Sequence, residues 1–590
     1  MLKQNKKIII LLLALLIAII SFLVYSPTFK NDFVWDDLQF TTNPALIGSN
    51  PYSFFLGGGV YYRPILHLSV VFDYSIWHLN PFGYHLTNML LHTVCSLFVF
   101  FVSLYLLNNT LITANIANRE LKAFKNPITL SFITALLFAL HPIHTESVAW
   151  INGRTDILAT LFFLPAFLSF LIYVKEERKA ALILCGFFFL FSLFSKENAV
   201  SLIGVVLVYG IVTGVPKKKI ILTELALFAG LIIYLLLRGG SGVKEITAAA
   251  GSREAFFSSA ITPGNFFKDF SLGTGYYFER LVFPFNLSAL PRFPEHPVYY
   301  LIFLAPFIIG AILYFKGKRL HAFLIAWIVI TLLPSLSILF SQIAAPVAER
   351  YLYLPSVGFA ILLGLMFGRV KSGKIALISV LSVLSIYSFT TFDRLGDWKN
   401  DLALWKDASQ KNPDIAYTHT NYASALIRTG ELVKAKEELI TALKIDAPIS
   451  FEHTSKILEL LGVIETKSGD YQKAEDHLIN AIKANEKNKN AFNNLGFLYA
   501  VMAQESDEPE KNTLYIKSIK AYENALRLSP GFIQPKFNIA LSYLNMGNYE
   551  KAAEYFNFVI KSDPAGEMSA KSSVLLIYIE KLRAGRIKDI

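Results

Sequence analysis

Two adjacent carboxylates, Asp36 and Asp37, follow the aromatic string Phe33-Val34-Trp35. Like charges side by side repel, so one of them can hold its proton to higher pH and serve as a base near neutrality. A pair of acids capping a juxtamembrane helix would read the same way at this level. Further on, Tyr61-Tyr62-Arg63-Pro64 adds a cation, and His141-Pro142-Ile143-His144-Thr145-Glu146 is followed by Asn152-Gly153-Arg154-Thr155-Asp156. Two histidines and a glutamate are metal-ligand types. The proline and the i, i+3, i+5 spacing do not fit a helical H-E-x-x-H site, however, so no metal is assigned. A hydrogen-bonded polar turn that recognises a substrate is expected instead. Ser195-Lys196-Glu197-Asn198 and Ala348-Glu349-Arg350-Tyr351 each set a cation beside a carboxylate. Such pairs either neutralise each other or bind an anion, and arginine suits bidentate contact with phosphate.

The composition says what must position these groups. Of 590 residues, 54% are apolar and only 17% are charged, against about 25% charged in a soluble globular chain. Disorder, collagen and small disulfide scaffolds are excluded. Cys95 and Cys185 lie far apart inside apolar runs and build neither a disulfide framework nor a zinc cluster. The net charge of +11 invites a nucleic-acid reading, but its distribution removes it. Residues 1–390 hold 29 Lys and Arg against 17 Asp and Glu, whereas residues 391–590 hold 26 against 27. The whole excess sits in the apolar two-thirds, where positive charge marks loops beside a membrane.

Apolar runs of spanning length, roughly 20 residues, recur at 8–25, 85–107, 128–149, 157–174, 180–194, 199–213, 220–237, 299–315, 321–340, 351–367 and 375–391. The first is read as an uncleaved anchor, because no small-residue cleavage site follows it. Residues 265–285 are apolar but broken by Lys268, Asp269, Glu279 and Arg280, and are expected to be interfacial or re-entrant. Eleven spans result. Six basic clusters, near 3–7, 119–125, 175–179, 217–219, 316–319 and 369–374, hold 18 of the 29 basic residues. With the N-terminus in the cytoplasm all six fall on the cytoplasmic side, as the positive-inside rule requires. An odd count then puts the C-terminal part outside, together with the loop 26–84 and the ends of spans that carry every acid–cation group named above.

From about residue 412 the pattern becomes a repeat of roughly 34 residues, the tetratricopeptide (TPR) period. Small residues mark the helix crossings and a glycine closes the first helix: Ala423, Gly430, Ala435, Ala442; then Gly462, Gly469, Ala474, Ala481. The third unit has Gly496, Tyr522, Ala525 and an insertion at 504–514. The fourth has Ala540, Gly547, Ala552, Phe556 and Pro564, and a capping helix is expected from Lys571. Four units bury a continuous core and leave a concave surface suited to a peptide or protein. The predicted architecture is all-α: a membrane domain over 1–392, a linker over 393–411, and a TPR solenoid over 412–590. No P-loop, G-x-G-x-x-G or G-x-S-x-G motif is present, which argues against cytoplasmic nucleotide chemistry.

The strings 33–37, 61–64, Asn80-Pro81-Phe82-Gly83-Tyr84-His85-Leu86-Thr87-Asn88-Met89-Leu90-Leu91-His92, 140–146 running to Arg154-Thr155-Asp156, Lys196-Glu197-Asn198, and Glu349-Arg350-Tyr351-Leu352-Tyr353-Leu354-Pro355-Ser356 occur in one order. Together they resemble the transmembrane-and-tetratricopeptide-repeat (TMTC) O-mannosyltransferases, and more broadly the GT-C glycosyltransferases that use polyprenyl-phosphate sugars. The resemblance covers the whole membrane part. It implies an eleven-span GT-C bundle, an extracytoplasmic repeat domain and an acidic pair, here Asp36 and Asp37, at the active site. The chain departs from the family in having about four repeats and short external loops, which leaves the sugar and the acceptor open.

The implied reaction moves a sugar from a polyprenyl- or dolichyl-phosphate donor to a Ser or Thr hydroxyl of a protein captured by the repeats, with inversion. Asp36, or failing that Asp37, is the expected base. Arg350 and Arg154, then Lys196 and Arg63, are expected on the donor phosphate, where positive charge stabilises the leaving group. His141, His144, Glu146, Asp156, Glu197 and Glu349 are assigned to substrate binding and positioning. No cofactor beyond the lipid-linked sugar is expected, and the partners are membrane lipids and the acceptor, not nucleic acid. The composition suits a bacterial inner membrane; in a eukaryote the endoplasmic reticulum would correspond. Two other readings fit the residues: a ligase or polymerase of lipid-linked glycans, and a non-catalytic scaffold anchored by its spans.

Overall fold

Long apolar runs without competing turn signals form helices, and the computed structural model shows little else. It describes residues 2–38, 62–108, 121–240, 263–336, 347–445, 450–562 and 566–584, among which every regular element is helical. The stretches 39–61 and 241–262 of the expected external loops, the end of the 321–340 run, Tyr61, Arg119 and Pro564 lie outside the described residues. The chain divides into two units, the first ending at Asn412 and the second beginning at Pro413.

Among the described residues of the first unit seven helices are long and apolar enough to cross a membrane: Lys6–Lys30, Pro81–Asn108, Arg154–Glu176, Lys217–Gly239, Val298–Phe315, Arg319–Leu336 and Gly373–Leu395. The run 128–149, expected as one span, is instead a broken pair, Pro127–Ala139 and Pro142–Ala149, bent by 48°. Pro142 is the cause. The residue before a proline is driven out of the α region, and His141 is extended at φ −66°, ψ 125°. Three further apolar helices, Lys179–Ser195, Glu197–Thr213 and Pro355–Gly368, are shorter. Residues 265–285 lie mostly in the helix Pro263–Val282, which is not among the helices of spanning character. Its Tyr276, Tyr277 and Leu281 pack with Leu332, Val347 and Leu352 in a buried cluster.

The segment 393–411, expected as a linker, belongs to the first unit. The Gly373–Leu395 helix runs into it, and a second helix, Asp401–Lys411, starts behind Asn400, whose side chain accepts the Ala403 N–H. Trp398, Leu404, Trp405 and Ala408 are buried. Two tryptophans within eight residues supply enough apolar surface to dock a short helix that is polar elsewhere.

The second unit is built of helix pairs: Ala416–Thr429 with Leu432–Lys444, Phe451–Ser468 with Tyr471–Ala484, Lys489–Gln504 with Glu510–Leu528, and Ile533–Asn545 with Tyr549–Ser562. Gly430, Gly469 and Gly547 have φ of 86°, 80° and 72°, the left-handed stop that a side chain resists. Ala435, Leu439, Ala474, Leu478, Ala552 and Phe556 are buried at the crossings. The insertion expected at 504–514 is partly helical: Glu510–Leu514 lengthens the second helix of its pair to 19 residues. The Glu567–Arg583 helix covers the last pair, with Ile579 against Ala540, Ala552 and Phe556.

Candidate functional site

Four turns at the ends of the apolar helices carry the acid–cation groups. The first follows the N-terminal helix and closes in a single 3₁₀ turn, Trp35–Asp37. Here the two aspartates part company. Asp37 is fully buried; its Oδ1 accepts the Asn152 N–H at 3.0 Å, and its Oδ2 accepts those of Ile151 at 3.3 Å and Val34 at 3.4 Å. Burial pushes its carboxyl up to about 8, opposed by these amides. Asp37 therefore pins its turn to the 150–152 turn. Asp36 is exposed, yet neighbouring protein strips enough water from it to raise its carboxyl above the ordinary range, with the Arg350 charge pulling it back down. Asp36 thus stays accessible to a substrate while its carboxyl is partly desolvated.

Trp35, just before this pair, has φ +55°. For a bulky L residue that conformation costs roughly 1–3 kcal/mol and persists only when the surroundings over-determine it. Trp35 stacks on Trp150 at 5.0 Å and 17°, meets the edge of Trp405 at 5.4 Å, and donates its N–H to Asp401 at 2.7 Å.

The second turn is the one Pro142 breaks open. Glu146 is fully buried and holds Arg350 twice, through an ion pair between Oε1 and the guanidinium and by accepting the Arg350 backbone N–H at 2.9 Å. The Arg350 guanidinium also lies 5.2 Å over Trp150 and 5.0 Å over Tyr351, and its side chain keeps 18% of its surface open. Carboxylate and aromatic neighbours raise its pKa despite burial. At the third turn Lys196 bonds both oxygens of Asp156 at 2.7 Å and lies 5.0 Å over the Tyr351 ring. Burial, together with the Arg63 and Arg350 charges, lowers its ammonium to about 8, against the pull of Asp156. Arg63, ahead of the helix Pro64–Trp77, bonds Glu197 at 2.9 and 3.2 Å. Arg63, Lys196 and Arg350 thus share one electrostatic neighbourhood, each steered by its own acid, with Asp36 at its edge.

Other expected site residues lie elsewhere. Arg154, expected on phosphate, is fully buried and fully used: an ion pair to buried Asp73 at 2.6 Å, and bonds to Asn88 Oδ1 at 2.5 Å, Tyr84 O at 2.9 Å and Ser69 Oγ at 3.2 Å. It is a structural cross-link and leaves no guanidinium edge for a ligand. Glu349 turns away from its neighbour Arg350 and pairs with buried Arg394 at 2.9 Å while accepting the Ser288 N–H. Burial pushes it up to about 7 against the Arg394 charge. His141 donates Nε2–H to Leu281 O at 3.0 Å and accepts the Ile143 N–H, and His144 donates to Ser356 Oγ at 2.8 Å. Both rings are buried and position the turn rather than contact a substrate. Among the described residues no group of three or more His, Cys, Asp or Glu is arranged to hold a metal ion.

Asp73, Arg394, Trp405 and Asp401 were not singled out by sequence. Asp73 interrupts an apolar helix, which was the available signal, whereas Arg394 sits beside Asp393 in the last turn of its helix.

Gly153 sits where these turns come closest. A Cβ there would fall 2.8 Å from Glu146 O and 2.9 Å from Ser147 Cα, both backbone. Gly153→Ala must therefore shift the Glu146 turn. We expect activity to fall by about 10-fold or more, since displacements near 1 Å can cost 10²-fold, with a destabilisation of about 1–3 kcal/mol. Steady-state kinetics beside thermal unfolding in detergent would check this.

With this geometry in hand, known proteins can be compared. A tetratricopeptide-repeat family model matches residues 533–565. Protein O-mannosyl-transferase TMTC4 of Homo sapiens is 27% identical, over 71% of this chain and 64% of the relative. Protein O-mannosyl-transferase F38B6.6 of Caenorhabditis elegans is 25% identical, over 73% and 62%. Protein O-mannosyl-transferase TMTC3 of Homo sapiens is 23% identical, over 88% and 63%. The chain is TMTC-like. This TMTC-like chain spans under two thirds of the length of those curated relatives. Among solved structures, a crystal structure of MamA aligns at 21% identity over 32% of this chain and 86% of that chain, with a TM-score of 0.22.

Proposed function

We propose that the protein is an integral-membrane glycosyltransferase that moves a hexose, such as mannose, from a polyprenyl-phosphate donor to a Ser or Thr hydroxyl of an extracytoplasmic protein. The seven long helices, the bent pair and the three shorter apolar helices together supply the eleven crossings, with the N-terminus in the cytoplasm. The four acid–cation turns then share the outer face with the repeats, which capture the acceptor and raise its local concentration.

One observation carries this reading: exposed Asp36 feels the charge of Arg350, which shares its electrostatic neighbourhood with the oriented cations Arg63 and Lys196. In the reaction the acceptor oxygen forms a bond to the sugar C1 while the C1–O bond to phosphate breaks. The hydroxyl proton passes to the Asp36 carboxylate, and the electron pair leaves with the polyprenyl phosphate. Displacement from the opposite face inverts the anomeric centre. Negative charge grows on the departing phosphate, and cations already held by Glu146, Asp156 and Glu197 need no reorganisation to meet it. The names of the relatives, protein O-mannosyl-transferases, agree with transfer to protein. The test is transfer by purified protein from a panel of polyprenyl-phosphate sugars to candidate acceptors, with mass spectrometry of the product. No transfer from any donor, by protein whose Asp36→Asn form behaves identically in cells, would end the enzymatic reading.

A pH profile follows. Asp36 must be ionised to accept a proton, so kcat/KM rises as pH passes its elevated pKa. Lys196 must be charged to meet phosphate, so kcat/KM falls as pH passes about 8. Lys196→Arg, whose guanidinium stays charged throughout the accessible pH range, should remove the alkaline limb and leave the acid limb in place. An unchanged alkaline limb in that variant would show that another group sets it.

A further inference from the structure

We infer that Asp401, at the start of the helix that sequence had marked as linker, is a positioning residue that holds the Trp35–Asp37 turn in its reactive shape. The inference rests on the reading of Asp36 as base.

The turn is fastened on two sides. On one, Asp37 takes the amides of Ile151 and Asn152. On the other, Asp32 donates its N–H to Lys399 O at 2.9 Å, and Asp401 Oδ1 takes the Trp35 N–H at 2.7 Å. Asp36 lies between the two fastenings. Trp35 is the residue most in need of restraint, because its φ of +55° is one that a bulky side chain leaves when it can. The Trp150 and Trp405 rings fix where its side chain goes; the peptide itself is held at both ends, the Val34 carbonyl accepting the Asp37 N–H at 3.0 Å and Asp401 taking the Trp35 N–H. Asp401 suits the task. It is the first residue of its helix, directly after the Asn400 cap, where the helix end favours a carboxylate, and a bond from N–H to an ionised acceptor is short and strong. Release of this bond would slacken the Trp35 peptide and let the Asp36 carboxylate swing, while the Val34 carbonyl and the aromatic contacts still hold the loop to the fold.

The test compares Asp401→Ala and Asp401→Asn in the full-length protein by hydrogen exchange over residues 31–38 and by steady-state kinetics. In Asp401→Ala, exchange over that segment should quicken at least 10-fold and kcat should fall at least 10-fold. The donor KM should stay within 2-fold, because Arg63, Lys196 and Arg350 stand on other turns. Asn keeps an oxygen acceptor, so Asp401→Asn should recover kcat to within about 3-fold of wild type; should the alanine variant not fold, Asp401→Asn must show slightly faster exchange and lower kcat at unchanged KM. Wild-type exchange in Asp401→Ala, or a loss that appears in KM rather than kcat, overturns the inference. Faster exchange at a wild-type rate overturns it too, provided Asp36→Ala is inactive. If Asp36→Ala is itself active, the base assignment falls instead, and the two failures are told apart.

Discussion

Replacing Asp36 by alanine or asparagine should slow transfer by about 10²–10⁴-fold, the usual contribution of a positioned general base, and leave thermal unfolding unchanged. The same truncation one residue later should do the reverse. Asp37→Ala removes the acceptor for three backbone amides, those of Val34, Ile151 and Asn152. A buried donor left unsatisfied costs about 1–3 kcal/mol, so the loss in stability should exceed 2 kcal/mol, and any remaining folded protein should keep measurable transfer. The contrast follows from exposure: Asp37 has none, whereas Asp36 is open to solvent. Unfolding curves and single-turnover rates for both variants, purified in the same detergent, would check it. A stable, inactive Asp37→Ala beside an active Asp36→Ala would exchange the two roles.

That division of labour could not be read from the sequence, and the reason is geometric. Adjacent residues in a 3₁₀ turn point in different directions, and which of them meets the interior depends on partners 114 and 115 positions away. Residue type and spacing did mark turns that the structure brings together. Of the cations they pointed to, Arg63, Lys196 and Arg350 lie in one neighbourhood. Spacing failed where a side chain's partner carries no motif. Asp73 is a single acid inside an apolar helix and Arg394 lies in the last turn of another, and they claim Arg154 and Glu349 respectively. The break at Pro142 was visible as a proline, but not the consequence that His141 and His144 turn inward to Leu281 and Ser356.

Period and apolar run length were more reliable guides to the fold, because both act over many residues and average out local detail. The glycine stops at 430, 469 and 547 close the first helices of their pairs and small residues lie buried at the crossings, as the repeat pattern requires. The segment 393–411 shows the limit of the same reasoning. Its helix is short and mostly polar, so averaging hid two buried tryptophans that attach it to the first unit.

Arg154 and Arg350 give the second large contrast, since both were expected on phosphate and the structure separates them. Arg154→Met leaves Asp73 buried without its counter-ion and Asn88, Ser69 and Tyr84 short of a donor. Breaking a buried ion pair from one side costs about 3–5 kcal/mol, a large share of the roughly 5–15 kcal/mol that holds a typical domain folded. The variant should accumulate poorly, and Arg154→Met combined with Asp73→Leu should recover part of the loss, because an apolar pair carries no stranded charge. Arg350 is partly open; it pairs with Glu146 and donates more weakly to the Tyr351 hydroxyl at 3.4 Å. Arg350→Lys should therefore fold normally but lose about 10²–10³-fold in kcat, the cost typical of removing one well-aimed charge-stabilising donor, because an ammonium cannot bridge carboxylate and phosphate as a planar guanidinium does. Expression level, unfolding temperature and kcat measured on the four proteins decide the matter. A well-folded but inactive Arg154→Met would return Arg154 to the donor phosphate, since a side chain needed only for the fold cannot be removed without cost to the fold.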